Sequence, residues 1–146
     1  MRLKIRTDYL QEVYHVKRFQ KMIATAVTDL QKIDKKTPFT AIAFTGHSGA
    51  ALAYPISYIL GKPLICVRKK TDCSHYDDSV EGASTAKSYL IVDDCICSGE
   101  TIDHIVKAIS AGRRVKPVGI YLYDDSDKGG DRASHKGIPI HLQYLD

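Results

Sequence analysis

The sequence lacks the features of several specialised protein classes. No apolar run approaches the roughly 20 residues that span a bilayer. The first residues, MRLKIRTDYLQEVY, become polar too early for a secretory signal peptide, so we expect a cytoplasmic protein. No segment repeats at a fixed period, and no linker or low-complexity tract interrupts the chain. No Lys-Ser or Lys-Thr pair follows the glycines of residues 46–49, which argues against a Walker-type phosphate loop.

The cysteine spacing argues against two further classes of protein, and the net charge is compatible with more than one kind of ligand. Cysteines at 66, 73, 95 and 97 show neither a disulfide framework nor the paired CxxC spacing of a zinc site. The net charge of +4 is modest and suits an anionic small molecule as well as nucleic acid. With 146 residues, of which 44% are hydrophobic, the chain can bury one core without covalent staples. Composition and charge alone therefore leave both kinds of partner open.

Helix-like and strand-like segments alternate along most of the chain. Apolar residues recur in steps of three and four through residues 8–34, which predicts a long amphipathic helix. Further helices are predicted near 49–60 and 100–111. Short apolar runs predict strands near 39–45, 63–68, 89–94, 117–123 and 138–142. This alternation predicts an α/β fold with a central parallel five-stranded sheet flanked by helices.

One long polar segment, TDCSHYDDSVEGASTAK at residues 71–87, interrupts this alternation. Compact domains rarely keep a loop of that length unless it has a function. Basic residues flank the segment, so we expect a flexible loop that closes over a ligand, with a small hairpin near SVEG.

The stretch YLIVDDCICSGETI, residues 89–102, carries the strongest functional signal. Its apolar run predicts a buried strand that ends in two adjacent carboxylates, Asp93 and Asp94. Residues 98–101 then open a helix, whose N-terminal amide groups and dipole favour a phosphate. Ligands of open parallel sheets bind beyond the carboxyl ends of the strands, so the acids and the amides should share one pocket. Such a pocket suits ribose 5-phosphate, with the acids on sugar hydroxyls or on Mg²⁺.

The segment LIVDDCICSGET resembles the signature of the type I phosphoribosyltransferases, which bind phosphoribosyl pyrophosphate (PRPP). The resemblance extends over most of residues 38–125 and is nearest to the orotate and adenine branches of that family. It implies that Asp93 and Asp94 hold the ribose hydroxyls and Mg²⁺. The implied contacts of the 5-phosphate are Cys97, Ser98, Gly99, Glu100 and Thr101.

The resemblance also assigns the other parts of the ligand. The segment from Ala41 to Lys70 is similar to the first half of the family, where a loop after the first strand binds pyrophosphate. The implied pyrophosphate contacts are Gly46, His47, Ser48, Gly49, Arg68, Lys69, Lys70 and His75. The implied catalytic residues are Asp93, Asp94, Lys69 and Lys70. The side chains expected to face the base are Tyr123, Asp124 and Asp125.

The chain as a whole, residues 1–146, is predicted to be one phosphoribosyltransferase-like domain. Its predicted core is 38–125. The N-terminal helix within 1–37 and the tail 126–146 are the candidates for a small hood over the base. The partners that the resemblance implies are small molecules, PRPP and a base, and neither nucleic acid nor a membrane. Because relatives of this fold commonly form dimers, the resemblance also implies a homodimer.

The implied activity is Mg-dependent transfer of ribose 5-phosphate from PRPP to a nitrogenous base, with release of pyrophosphate. One alternative is a non-catalytic module of the same fold that senses PRPP or a nucleotide. Asp72 favours this alternative, because the orotate branch has a loop lysine at that position. Another alternative is a serine hydrolase with Ser48 as the nucleophile, completed by Asp93 or Asp94 and by His135.

Overall fold

A computed structural model describes residues 10–69, 79–124 and 132–144 of the chain. The elements in chain order are α1 (Val16–Lys36), β1 (Ala41–Thr45), α2 (Gly46–Leu60), β2 (Leu64–Val67), β3 (Val80–Gly82), β4 (Ser88–Asp93), α3 (Glu100–Gly112), β5 (Lys116–Leu122), β6 (Ser134–His135) and β7 (Ile138–Leu142). Every strand and helix predicted from the sequence has a counterpart here.

The described strands form one sheet in the order β3-β2-β1-β4-β5-β7-β6. Strands β2, β1, β4, β5 and β7 are parallel neighbours, which confirms the predicted parallel five-stranded sheet. The short strands β3 and β6 pair antiparallel at its two edges. Because β1 and β4 are adjacent and parallel, the segments that follow them begin at the same edge of the sheet.

Helices cover both faces of this sheet. Helices α1 and α2 contribute Leu30 and Leu52 to an apolar cluster on one face. Helix α3 contributes Ile105 to a second cluster on the opposite face. Successive strand residues point to opposite faces, so Ile42 joins the first cluster and Ala43 the second. Burial on both faces explains why the central strands are almost continuously apolar in sequence.

The first helix begins at Val16, so the prediction of a helix from residue 8 was wrong at this end. Residues 11–14 form a turn, and Leu10 has a positive φ of 55°, which is incompatible with a continuous right-handed helix. Leu10 and Val13 nevertheless pack against the core. The apolar periodicity therefore continues through a segment whose backbone is not helical.

The segment near SVEG forms a short strand at the edge of the sheet. This strand, β3, pairs antiparallel with the preceding strand β2, so that Val67 and Val80 are partners, as the predicted small hairpin requires. Residues 70–78 of the predicted closing loop lie outside the described residues. Closure of this loop stays a prediction.

The tail extends the sheet. Strand β7 pairs with β5, and β6 folds back on β7 through the turn Lys136-Gly137, where φ is 48° and 81°. The hood assigned to 1–37 and 126–146 stays a prediction. Among the described helices, none combines the length and apolar character that a bilayer-spanning segment requires.

Candidate ligand-binding site

A cavity of about 180 Å³ lies at the sheet edge where β1 and β4 end. Its lining contains Thr45, Ser48, Lys69, Asp93, Asp94, Cys95, Ile96, Cys97, Ser98, Gly99, Glu100, Thr101 and Ile102. The structure thus brings together the acid pair, the turn before α3, and parts of the segments that follow β1 and β2. These groups were predicted from the sequence to hold different parts of one ligand.

Asp93 is the more deeply buried acid of the pair, with 4% of its surface exposed. Its Oδ1 accepts hydrogen bonds from Ser48 Oγ at 3.0 Å and from the backbone amide of Asp94 at 2.9 Å. Burial, and then the negative charge of Asp94, raise the pKa of Asp93 to about 7. The acid pair therefore favours a ligand that donates hydrogen bonds or brings positive charge.

Residues 97–101 comprise the turn at 97–99 that leads into α3 and the first two residues of that helix, Glu100 and Thr101. Gly99 is the N-cap residue, with a φ of 88° in the left-handed region, and its carbonyl accepts a hydrogen bond from the amide of Asp103 at 2.9 Å. The side chains on either side of Gly99 are exposed. A helix N-terminus that opens into a cavity in this way is suited to an anion, because its amide groups lack partners within the helix.

The opposite side of Gly99 is covered by His135, which is buried. A Cβ atom added to Gly99 would lie 2.2 Å from His135 Cε1, so the imidazole ring lies directly against the glycine. The sequence pattern had linked His135 to this region only as a hydrolase residue. It gave no sign of this contact, since 36 positions separate the two residues.

On the pyrophosphate side, Gly46–Gly49 is the first turn of α2, whereas the sequence had suggested a loop before a helix at 49. Gly46 has a φ of 65°, which allows the chain to leave β1 and enter the helix without an intervening loop. A Cβ atom on Gly46 would lie 2.8 Å from Lys69 Cε and 2.9 Å from Lys69 Nζ. The ammonium group of Lys69 therefore lies over the start of α2.

The guanidinium group of Arg68 has a different position. Its Nη2 donates to both carboxylate oxygens of Glu81, at 2.8 Å and 2.9 Å, and Arg68 does not line the cavity. Glu81 lies in β3, inside the segment that had been predicted as a loop, and the sequence had assigned it no contact. Of the other predicted pyrophosphate contacts, Lys70 and His75 lie outside the described residues, and His47 is exposed.

The residues predicted to face the base follow β5, next to the acid pair. Tyr123 is buried, and its hydroxyl donates a hydrogen bond to the backbone carbonyl of Ser48. The amide of Asp124 donates to the carbonyl of Asp94 at 2.8 Å. Tyr123 and Asp124 thus support the backbone of the site, and neither belongs to the cavity lining. Asp125 lies outside the described residues.

The hydrolase alternative is not supported by this geometry. A catalytic serine requires a histidine between its hydroxyl and the acid. Ser48 Oγ instead donates directly to Asp93, while His135 Nε2 lies 2.9 Å from Asp103 Oδ1. The predicted Ser48–His135 contact is therefore not formed.

Asp93 and Asp94 are side chains of this cavity that could contact a magnesium ion. Within the described ranges, no cluster of three or more His, Cys, Asp or Glu side chains could enclose a metal. Mg²⁺ in proteins is commonly held by one or two carboxylates together with the phosphates of a substrate. Asp93 and Asp94 fit that arrangement, because both line a cavity that also contains an anion-binding turn.

No family model matches the sequence, and no curated protein is similar to it in sequence. Solved structures do match. Adenine phosphoribosyltransferase from Saccharomyces cerevisiae is 17% identical, with a TM-score of 0.72, and the match covers 94% of this chain and 85% of that one. Orotate phosphoribosyltransferase from Mycobacterium tuberculosis is 15% identical, with a TM-score of 0.69, over 92% of this chain and 74% of that one.

A third match is UMP synthase from Leishmania donovani, which is 20% identical with a TM-score of 0.63. It covers 83% of this chain, and the chain spans only 26% of that protein. These matches confirm, at the level of the fold, the resemblance to the orotate and adenine branches that the sequence motif had indicated. The protein therefore has the type I phosphoribosyltransferase fold.

Proposed function

We propose that the protein is a phosphoribosyltransferase, which transfers ribose 5-phosphate from PRPP to a nitrogenous base and releases pyrophosphate. The observation that carries the proposal is the one cavity shared by the acid pair, the turn before α3 and Lys69. The ligands of two similar proteins support it. The yeast enzyme was solved with an imino-altritol bisphosphate and adenine, and the Mycobacterium enzyme with inorganic phosphate.

In this proposal the 5-phosphate lies against residues 97–101. The backbone amides at the start of α3 donate to its oxygens, and Gly99 allows the phosphate to approach the chain closely. Ser98 and Thr101 add hydroxyl donors, and both side chains are exposed at the cavity. The side chain of Cys97 is exposed there too, and it is small enough to leave room for the ligand.

The acids hold the sugar. Asp94 is only half-buried, so it is better placed than Asp93 to accept hydrogen bonds from the ribose hydroxyls. Asp93 lies behind it, fixed by Ser48 and by the amide of Asp94. Mg²⁺, when bound with the substrate, supplies positive charge at the pyrophosphate oxygens. The two carboxylates keep the sugar in place while its anomeric carbon moves from one partner to the other.

The pyrophosphate lies at the start of α2. Helices α2 and α3 both begin at this sheet edge, so the positive ends of two helix dipoles face the same ligand. Lys69 adds a full charge beside Gly46. Lys70, Arg68 and His75 remain proposed contacts. Residues 79–87 of the predicted loop are described, and β3 within them is paired with β2, so the proposed closing part is the part that precedes β3. Its closure would exclude water, so that transfer to the base is favoured over hydrolysis.

The proposed assembly is a cytoplasmic homodimer. Helix α2 exposes Tyr54 (60%), Tyr58 (90%) and Ile59 (52%) at its surface. Large apolar side chains grouped in this way are typical of a protein interface.

The acceptor base is proposed to lie beside the segment that follows β5, near Asp124 and Asp125, where an acid would suit a neutral or amino-bearing base.

The experiment that tests the proposal measures pyrophosphate release from PRPP and Mg²⁺ across a panel of bases. Wild-type protein should release pyrophosphate with at least one base, and Asp94→Asn should abolish that release. Asp34→Asn is the matched control, because it makes the same chemical change at a carboxylate that pairs with Lys62 instead of lining the cavity. Equal activity of the wild type and Asp94→Asn would disprove the assigned site.

A second candidate is the non-catalytic PRPP or nucleotide sensor. The pairing of Arg68 with Glu81 favours it, because this guanidinium is already neutralised and lies away from the cavity. A sensor would show a rise in melting temperature with PRPP and Mg²⁺, as binding to the folded state requires, but no pyrophosphate release with any base. Absence of both signals at millimolar ligand would contradict both candidates.

A further inference from the structure

The β6–β7 hairpin places a histidine ring behind the proposed phosphate turn. His135 is 8% exposed. A Cβ atom at Gly99 would lie 2.2 Å from its Cε1 and 2.8 Å from each of its ring nitrogens. Non-bonded carbon atoms do not approach so closely, so the ring fills the volume that a larger residue at 99 would need. Gly99 is therefore confined between the cavity on one side and the imidazole on the other.

A second contact fixes the same ring to the helix that follows. His135 Nε2 lies 2.9 Å from Asp103 Oδ1, and because a carboxylate only accepts, this nitrogen carries the proton. Asp103 is in the first turn of α3, and its amide donates to the carbonyl of Gly99 at 2.9 Å. Hydrogen bonds from Lys136 and His135 lower the pKa of Asp103, so that it is a carboxylate at neutral pH. The ring therefore contacts both residues of one hydrogen-bonded turn.

The hairpin turn also contacts Asp103 through the residue after His135. Lys136 has a φ of 48°, in the left-handed region that side chains other than Asn, Asp and Gly rarely adopt. Its ammonium group donates to Asp103 Oδ2 at 2.7 Å. Two consecutive residues of the tail thus bind the two oxygens of a single carboxylate at the start of α3.

We propose that His135 is a positioning residue for the 97–101 turn, which acts through Gly99 and Asp103 without contacting the ligand. The ring supports the left-handed conformation of Gly99 from behind, and this keeps the amide groups at the start of α3 directed at one point in the cavity. Without the ring, the turn loses that support and the amides lose their common direction. The inference rests on the proposed function, in which the anion at this turn is the 5-phosphate of PRPP.

The test is calorimetric titration of the full chain with ribose 5-phosphate and, separately, with pyrophosphate and Mg²⁺. His135→Ala should weaken ribose 5-phosphate binding by about tenfold and leave pyrophosphate binding within about twofold. His135→Gln keeps a donor to Asp103 but withdraws the ring from Gly99, so a smaller loss, of about threefold, is expected. Ile140→Ala is the control, because Ile140 lies in the same hairpin and packs against the apolar cluster of the α3 face. It should lower the melting temperature without changing either affinity.

The outcomes separate the inference from the function on which it rests. Unchanged ribose 5-phosphate affinity in His135→Ala overturns the positioning role and leaves the proposed activity in place. A parallel loss of both affinities in His135→Ala and Ile140→Ala also overturns it, because the effect would then be general destabilisation. If His135→Ala does not fold, unchanged affinity in His135→Gln decides against the inference. A wild-type protein that binds neither PRPP nor ribose 5-phosphate removes both proposals together.

Discussion

Replacing Asp93 by Asn should stabilise the protein at neutral and alkaline pH. The folded chain raises the pKa of this carboxyl to about 7, from 3.8 for an ordinary aspartate, mainly because the group is buried and also because Asp94 lies beside it. The folded state therefore binds this proton more tightly than the unfolded state does. Asparagine has no proton to lose, and its side-chain oxygen can still accept from Ser48 and from the amide of Asp94.

The size of the effect follows from proton linkage. Between pH 3.8 and about 7 the unfolded chain has lost the Asp93 proton and the folded chain keeps it. Each pH unit in this window lowers the free energy of unfolding by about 1.4 kcal/mol, so the loss reaches about 4 kcal/mol and then stays constant. The advantage of Asp93→Asn should thus be about 1 kcal/mol near pH 4.5 and about 4 kcal/mol near pH 8. For a chain of this length that corresponds to a difference of about 10 °C in melting temperature.

Urea unfolding followed by circular dichroism, in EDTA and across this pH range, measures the difference directly. Asp94→Asn should stabilise in the same direction but less, because burial is a larger cause of the raised pKa than the neighbouring charge. Asp34→Asn should instead lower the free energy of unfolding near pH 8. Burial alone would raise the pKa of Asp34, but the hydrogen bond from Lys62 contributes to a net lowering, so the folded state favours the charged carboxylate. The reasoning is refuted if Asp93→Asn is no more stable than the wild type near pH 8, or if its advantage does not shrink in acid.

Three further predictions concern other residues. Gly82→Ala should destabilise the protein and detach β3, because a Cβ atom there would lie 2.1 Å from a backbone oxygen of β2 at a φ of 107°; faster amide exchange of β3 would show it. Iodoacetamide should alkylate Cys97, which is exposed, well before Cys95, because burial raises the pKa of Cys95 to about 12. Equal labelling of the two cysteines in peptide mass spectra would contradict this difference in exposure and pKa. Tyr121→Phe should lower the free energy of unfolding by about 2 kcal/mol, because it removes a 2.9 Å hydrogen bond to Asp29; an unchanged urea midpoint would count against that bond.

The central site could be predicted from the sequence because its parts are contiguous. A strand, two acids, a turn and a helix start follow one another within residues 89–102. In such a run the direction of the strand alone determines where the acids and the helix N-terminus lie. The parallel sheet was predictable for a similar reason, since buried parallel strands are apolar throughout and leave a clear mark in the sequence.

Contacts between distant segments were not predictable in this way. Nothing near Arg68 indicates that Glu81 will neutralise it, because the contact depends on β3 pairing at the sheet edge. The contact of His135 with Gly99 likewise depends on the tail joining the sheet beyond β5. The predicted start of α1 was wrong because Leu10 packs against the core from a turn. The apolar spacing that is typical of a helix therefore continues where the backbone is not helical.

The bonds that Ser48 makes have a consequence for the choice of acceptor. The side chain of Ser48 binds Asp93 and its carbonyl receives the hydroxyl of Tyr123, so the start of α2, the end of β4 and the end of β5 are joined through one residue. Because these three element ends are held together by hydrogen bonds, we expect this side of the site to move as one rigid unit and to adapt little to the ligand. Variants selected for a new acceptor should therefore accumulate substitutions on the opposite side of the cavity, while Ser48 and Tyr123 stay unchanged.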